Sequence, residues 1–191
     1  MTRRVLAIVT VVAAAIIVAG AVVYYLVGPE HRRVQNASSA PVVGKAQVGQ
    51  PAPDFEVATT SGLFDLSKTK KPVFLEVFAT WCPHCQHEVP IVNRLYHAFG
   101  NSADFVGVSG SDTAMDGTST SSETDVLAWI QRFHVEYPVA YDPLLNVANL
   151  YLQGGFPTIA VIGRTKRITY LQSGEVSYQE LSGALKKVLR S

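Results

Sequence analysis

Cysteine is scarce. The chain of 191 residues has two, Cys82 and Cys85. Two cannot build a disulfide-rich scaffold, which draws on four or more. A purely structural bridge between them would close a tiny loop with little entropic gain, so the pair reads as chemistry. An excess of one charge sign is also missing. Sixteen Lys and Arg stand against fifteen Asp and Glu, a net charge of +1, so no electrostatic footprint argues for a nucleic-acid partner. No internal repeat divides the chain. Aromatic residues, at 9%, and charged residues, at 16%, are ordinary for a globular domain.

What is present begins with residues 5–27, VLAIVTVVAAAIIVAGAVVYYLV, which carry no charge. At 1.5 Å per residue such a helix spans about 34 Å, enough to cross a hydrocarbon core of roughly 30 Å. A cleaved signal peptide is the rival reading, but its apolar stretch is shorter. Tyr24 and Tyr25 close this run in the manner of an interfacial belt. The expectation is a retained single-pass anchor over residues 1–28. Arg3 and Arg4 precede the span and Arg32 and Arg33 follow it, so the positive-inside rule favours a cytoplasmic N-terminus only weakly. The short N-terminal tail puts the remaining chain on the far side. Residues 29–47 have no apolar period and read as a flexible linker. Residues 48–191, near the usual size of one domain, are expected to fold as a unit.

Within that unit, residues 48–68 alternate turn residues with short apolar stretches and predict an N-terminal hairpin. PVFLEVFAT (72–80) is a buried-strand pattern. QHEVPIVNRLYHAF (86–99) has helical spacing, with Pro90 expected to kink it. A second strand follows at 104–110, then a polar loop at 111–125, long enough to be mobile or to carry function. Helices are predicted at 126–134 and 144–152 around a short strand in 137–143. Residues 157–163 and 167–174 predict a hairpin, and 177–189 a closing amphipathic helix. The order β-α-β-α ending in β-β-α predicts an α/β sandwich with a mixed sheet.

FATWCPHCQH (78–87) joins the buried strand to the first helix. A helix N-terminus carries unpaired N–H groups and a partial positive charge, both of which favour a thiolate. Pro83 suits the first turn because it has no N–H to leave unsatisfied. His84 adds a donor or a positive charge. Cys82 is therefore the expected nucleophile. Cys85, one turn on and more shielded, is the expected resolving thiol in disulfide exchange. Trp81 shields the pair by packing, and His87 reads as a surface residue.

Strand, then WCPHC, then helix resembles the thioredoxin superfamily. VGQPAPDFEV, FLEVFATWCPHCQHEVPIVNRLY, YPVAYDP and GGFPTIAVIGRTKRITYLQSGEV are similar to its membrane-anchored, redoxin-type TlpA/ResA branch, over about residues 48–190. The resemblance implies a thioredoxin-like three-layer α/β sandwich with a central mixed sheet flanked by helices. It implies protein thiols or disulfides as substrates, a membrane-embedded redox donor or acceptor, and neither an organic cofactor nor a metal. Pro157 matches the family's cis-proline beside the disulfide. Phe156 occupies the preceding position, whose backbone pairs with substrate in the family. Glu88 matches an acidic residue that tunes the pair, and Glu76 falls where thioredoxin has a buried acid serving the resolving cysteine. Trp81, Pro83, His84, Phe156 and Thr158 are the residues expected to meet a substrate. The family analogy also offers a location, on the extracytoplasmic face of a bacterial cell membrane. It offers a pathway too, reduction in cytochrome c maturation or another envelope thiol route.

The dipeptide between the cysteines departs from the reductant pattern. Pro-His is the pair of the strong oxidant DsbA. Potentials run from about −270 mV for thioredoxin to about −120 mV for DsbA, roughly 7 kcal/mol in the relative stability of the reduced form. The architecture points to a reductant and the dipeptide to an oxidant, so the direction stays open. A thiol peroxidase is disfavoured because Ala79 and Leu75 stand where that motif needs Thr or Ser and Pro. A Cu(I)-binding assembly protein is a further alternative, with soft thiolate ligands from Cys82 and Cys85 and His134 as a distant candidate.

Overall fold

A computed structural model describes residues 45–191, so the predicted anchor and most of the predicted linker lie outside the described residues. Among the described residues no helix is long and apolar enough to cross a membrane. The packed chain begins slightly before residue 48. Ala46 is buried and its N–H donates to the Leu150 carbonyl at 2.8 Å.

Seven strands form one sheet: β1 (Glu56–Thr59), β2 (Gly62–Asp65), β3 (Val73–Phe78), β4 (Asp104–Ser109), β5 (Val139–Tyr141), β6 (Thr158–Ile162) and β7 (Ile168–Ser173). Their order is β2-β1-β5-β4-β3-β6-β7. The central β3, β4 and β5 run parallel, and β6 pairs antiparallel with both β3 and β7. β1 joins β5 antiparallel through the single Cα pair Thr59–Ala140. The sheet is thus mixed, and the N-terminal hairpin is shorter than residues 48–68 suggested.

Four helices accompany it: α1 (Pro83–Phe99), α2 (Glu123–Phe133), α3 (Asn146–Tyr151) and α4 (Tyr178–Arg190). α1 starts three residues earlier than its apolar spacing indicated, because Pro83 and His84 supply its first turn without contributing to its buried stripe. It continues as one helix through Pro90. The Ser122 and Ser177 hydroxyls accept from the N–H of Asp125 and Glu180 and so cap α2 and α4. His134 ends α2 in the left-handed conformation, φ 54°.

Two apolar clusters, one on each face of the sheet, make three layers. Alternation along β3 divides it between them. Phe74 and Phe78 join the cluster that includes Cys85, Val89, Val92 and Leu95 of α1, Trp129 of α2 and Leu181 and Leu185 of α4. Val73, Leu75 and Val77 join the opposite cluster, with Val147, Ala148 and Tyr151 of α3. Phe78 stacks on Trp129 with ring centroids 4.2 Å apart. The position between Phe74 and Phe78 on the α1 face is Glu76. Every residue of β3 is buried.

Beyond β4 the chain passes very close to its neighbours. A Cβ on Gly110 would lie 2.5 Å from Val77 Cγ1 and 3.0 Å from Ala148 Cβ. Gly110→Ala is expected to overpack this junction and cost about 1–3 kcal/mol. A urea titration should show a lower midpoint with an unchanged slope, and an unchanged midpoint would refute the tight contact.

Candidate active site

The C-terminal end of β3 delivers the chain directly into α1. Cys82 is the N-cap residue of that helix. No side chain caps the end, no acidic residue occupies the first turn, and Pro83 follows at once. The helix terminus therefore keeps its unpaired amides beside the first cysteine. Cys82 and Cys85 are free thiols. Cys82 retains 4% of its exposure and Cys85 none, so only the first can be reached from outside. Pro83 and His84 are exposed beside it.

Opposite Cys82 lies the loop before β6. The Phe156–Pro157 peptide is cis. The Cys82 thiol donates to the Phe156 carbonyl, Sγ to O 3.6 Å. Phe156 is half-buried and meets Trp81 edge to face, centroids 5.9 Å apart. Trp81 is 38% exposed and donates its indole N–H to Ser111 Oγ at 2.9 Å. An apolar rim of Trp81 and Phe156 thus borders the first sulfur.

Thr158 is placed otherwise than expected. Its side chain is buried and its hydroxyl is engaged internally. It accepts from the Gln153 N–H at 3.1 Å, donates to the Gly155 carbonyl at 2.8 Å and lies 2.9 Å from Ser173 Oγ. The hydroxyl staples the turn that presents Phe156 and Pro157. It is not offered to a substrate, because three neighbours occupy it.

Behind the cysteines sit two buried carboxyls. Glu76 pairs across the sheet with Gly107 of β4 and Ile159 of β6. Its Oε2 accepts from the Tyr137 hydroxyl at 2.7 Å, and its Oε1 has no partner among the described residues. Burial pushes Glu76 up from 4.5 to about 8; the Tyr137 hydrogen bond opposes that rise and the charge of Glu88 adds to it. Burial likewise drives the Cys85 thiol far up, and the Glu76 carboxylate drives it further. The thiol and the carboxyl therefore sense one another's charge, and each proton is tightly held.

Glu88 is buried within α1, not exposed on its outer face as an ordinary helix residue at that position would be. Both carboxylate oxygens accept from the Val176 N–H, at 3.3 and 3.4 Å. Burial pushes it up to about 7, with the Val176 amide pulling the other way. The residue before Val176, Glu175, accepts from His84 Nδ1 at 2.5 Å, with His87 Nδ1 3.6 Å away. His84, for which the sequence suggested no partner, is thus tied to the segment leading into α4.

The polar loop at 111–125 is bound to the same rim. Thr113 and Thr120 form a bridge. Asp125 accepts from the Thr80 hydroxyl at 2.8 Å and from the Met115 N–H at 3.0 Å. Sequence reasoning left out Tyr137, Gly107, Glu175, Ser111 and Asp125. Each meets the site across the sheet or between loops, at separations no local pattern encodes. His134 of the copper alternative lies at the far end of α2, its carbonyl accepting from Asn93. Among the described residues no three His, Cys, Asp or Glu side chains are grouped to hold a metal ion.

The Redoxin family model matches residues 47–188. The thiol-disulfide oxidoreductase ResA of Bacillus cereus is 30% identical over 146 residues, covering 75% of this chain and 80% of that one. ResA of Oceanobacillus iheyensis is 30% identical over 148 residues, covering 74% and 73%. A thioredoxin-family thiol:disulfide interchange protein of Chlorobium tepidum TLS superposes with a TM-score of 0.60 at 27% identity, over 76% of this chain and 99% of that one. StoA of Bacillus subtilis, at 19% identity and a TM-score of 0.58 over 69% and 96% of the two chains, shares the fold. With its mixed sheet, its paired thiols at a helix N-terminus and these relatives, the chain belongs to the Redoxin family, as a ResA-like thiol-disulfide oxidoreductase of the thioredoxin superfamily.

Proposed function

We propose that the chain is a membrane-anchored, extracytoplasmic oxidoreductase that reduces disulfides in other proteins through Cys82 and Cys85, with a place in cytochrome c maturation or a related envelope thiol pathway. One observation carries the reading: two free thiols stand one helical turn apart at the start of α1, the first against the cis-proline loop, the second over a buried carboxyl.

Cys82 thiolate attacks one sulfur of the partner's disulfide. A Cys82–partner mixed disulfide forms and the partner's other sulfur leaves as a thiolate. Cys85 gives its proton to the Glu76 carboxylate and attacks the Cys82 sulfur. The mixed disulfide breaks, a Cys82–Cys85 disulfide forms, and the second partner sulfur leaves and takes up a proton. Two electrons have passed to the partner. A membrane-embedded donor restores the dithiol by the reverse sequence. Trp81, Phe156 and the exposed Pro83 and His84 form the surface on which the partner rests, and Glu88 fixes the Val176 segment beside it. The direction rests on the ResA-like relatives, and the Pro-His dipeptide is the feature set against it.

Cys82→Ser is expected to abolish disulfide exchange with a protein substrate. Cys85→Ser should instead accumulate a mixed disulfide that dithiothreitol releases, visible on a non-reducing gel; trapping by Cys82→Ser would reverse the assigned roles. Equilibration of the full-length protein with glutathione should give a potential well below about −250 mV, whereas a value near −120 mV would make the chain an oxidant.

The anchor has its own check. In a bacterial membrane fraction the mature protein should retain its N-terminus and resist alkaline carbonate extraction. A mature chain starting near residue 41 would identify a cleaved signal instead.

Glu76 also sets a stability trend. Its folded-state value, near 8, lies above the ordinary 4.5. The folded state therefore binds the extra proton between those limits, and stability falls as pH rises through that window. Glu76→Gln, neutral throughout, should match the native protein near pH 5. By pH 9 it should be more stable by a few kcal/mol, because each pH unit between the two values is worth roughly 1.4 kcal/mol. Urea unfolding at three pH values measures this, and a difference independent of pH would contradict the buried-acid assignment.

A further inference from the structure

Gly107 is the β4 residue directly beside Glu76. It lies on the α1 face, between the alternate positions Phe105 and Ser109. Any side chain there would collide with a ring, since a Cβ would lie 2.9 Å from Tyr137 Cε2. Tyr137 belongs to the segment just before β5 and is buried. Two residues later Val139 pairs with Gly107. The Tyr137 ring thus crosses the gap that the missing side chain leaves in β4, and its hydroxyl reaches Glu76 Oε2 at 2.7 Å. The other oxygen, Oε1, is left without a partner among the described residues, in a fully buried carboxyl. A buried acceptor without a partner is costly, and it is the kind of feature that a proton-transfer step uses.

We propose that Tyr137 is a positioning residue for the thiol exchange: by holding Glu76 Oε2 through the gap at Gly107, it fixes the carboxyl and leaves Oε1 to take and return the Cys85 proton. The inference rests on the assignment of Cys85 as the resolving thiol. The step balances. The Cys85 S–H bond breaks, an O–H bond forms at Glu76, and the sulfur's electron pair forms the new S–S bond as the partner's sulfur leaves with its own pair.

The titratable groups facing Glu76 are Tyr137, and Cys85 and Glu88 from α1. The flanking strands present only Gly107 and Ile159 to its sides. A hydroxyl donating to a carboxylate favours the charged form. Without it, Glu76 stays protonated to higher pH and less carboxylate is available at neutrality.

The reduced full-length protein, in detergent, is mixed rapidly with excess 5,5′-dithiobis(2-nitrobenzoate). A concentration-dependent phase reports attack by Cys82 and releases one thionitrobenzoate. A first-order phase reports resolution by Cys85 and releases the second. Tyr137→Phe keeps the ring and removes only the hydroxyl. It should leave the first phase unchanged and slow the second by about tenfold at pH 7, the effect of a carboxyl midpoint moved upward by about one pH unit. The pH midpoint of the second phase should rise accordingly, and the native and variant profiles should converge at the alkaline end. In a Glu76→Gln background the same change should have no further effect. Superimposable profiles, or a slowing equal at every pH, would overturn the role of Tyr137. A second phase that persisted in Cys85→Ser would overturn the resolving assignment itself, and this inference with it. Gly107→Ala gives a second route to the same displacement, and a native second-phase profile in that variant would also count against it.

Discussion

A carboxyl group in the middle of an apolar sheet face is the constraint around which the site is arranged. Glu76 occupies the position where alternation along β3 calls for another large apolar side chain like Phe74 or Phe78. Removing a carboxylate from water costs several kcal/mol unless partners replace the lost solvation. Only one of its oxygens is partnered among the described residues, so the group keeps its proton to about pH 8. A simple core residue would serve folding better. A thiol that holds its proton more tightly still shares the same buried interior, and the Glu76 charge adds to that hold. Burial holds the Cys85 proton and makes Glu76 a stronger base than an ordinary carboxylate, so one cause moves both groups.

The two thiols are thereby separated in kind. Cys82 sits at an uncapped helix end with a trace of exposure. Cys85, one turn later, has none. In the proposed exchange that gradient sets the order, since only the first thiol has any surface for a partner sulfur to reach. The rim contributes geometry. Thr158 and Ser173 staple the turn bearing Phe156 and Pro157, while Ser111 and Asp125 tie the 111–125 loop to Trp81 and Thr80. Glu88, by accepting from the Val176 amide, couples the helix bearing both cysteines to the segment that carries Glu175, which His84 of the same helix also holds.

Much of this was legible in the chain. Hydrophobic runs and turn residues give the order of strands and helices, because β3, β4 and β6 are wholly or almost wholly buried and so read as continuous apolar runs. The adjacency of strand and helix at Cys82 is local, and the two thiols are visible from it. Less legible were the limits of β1, β2 and β5. These strands are three or four residues long, and their extent is fixed by pairing partners, not by their own pattern. The Thr158 hydroxyl turned inward because a turn five residues away needed its donor and acceptor. The sequence could not show that competition. Glu88 could be read equally as a surface residue, since its spacing places it beside the buried stripe and only the Val176 amide decides its environment.

The Tyr137–Gly107–Glu76 arrangement shows most clearly what sheet pairing adds. Gly107 and Tyr137 are ordinary in their own segments, and only Glu76 stands out in its own. Glu76 breaks an apolar run, Gly107 sits in a strand rich in Val and Phe, and Tyr137 precedes a proline at the start of a short strand. Register makes them one group: Glu76 faces Gly107 and Gly107 faces Val139. Only then does a glycine in a strand, otherwise a weak residue there, acquire a reason. It is the space through which a hydroxyl from the segment entering β5 reaches an acid on β3. Each member alone would be a defect in the core: an unpaired acid, a gap, a buried phenol. Together they form a hydrogen-bonded group whose second carboxyl oxygen has no partner among the described residues, in an acid whose charge Cys85 feels.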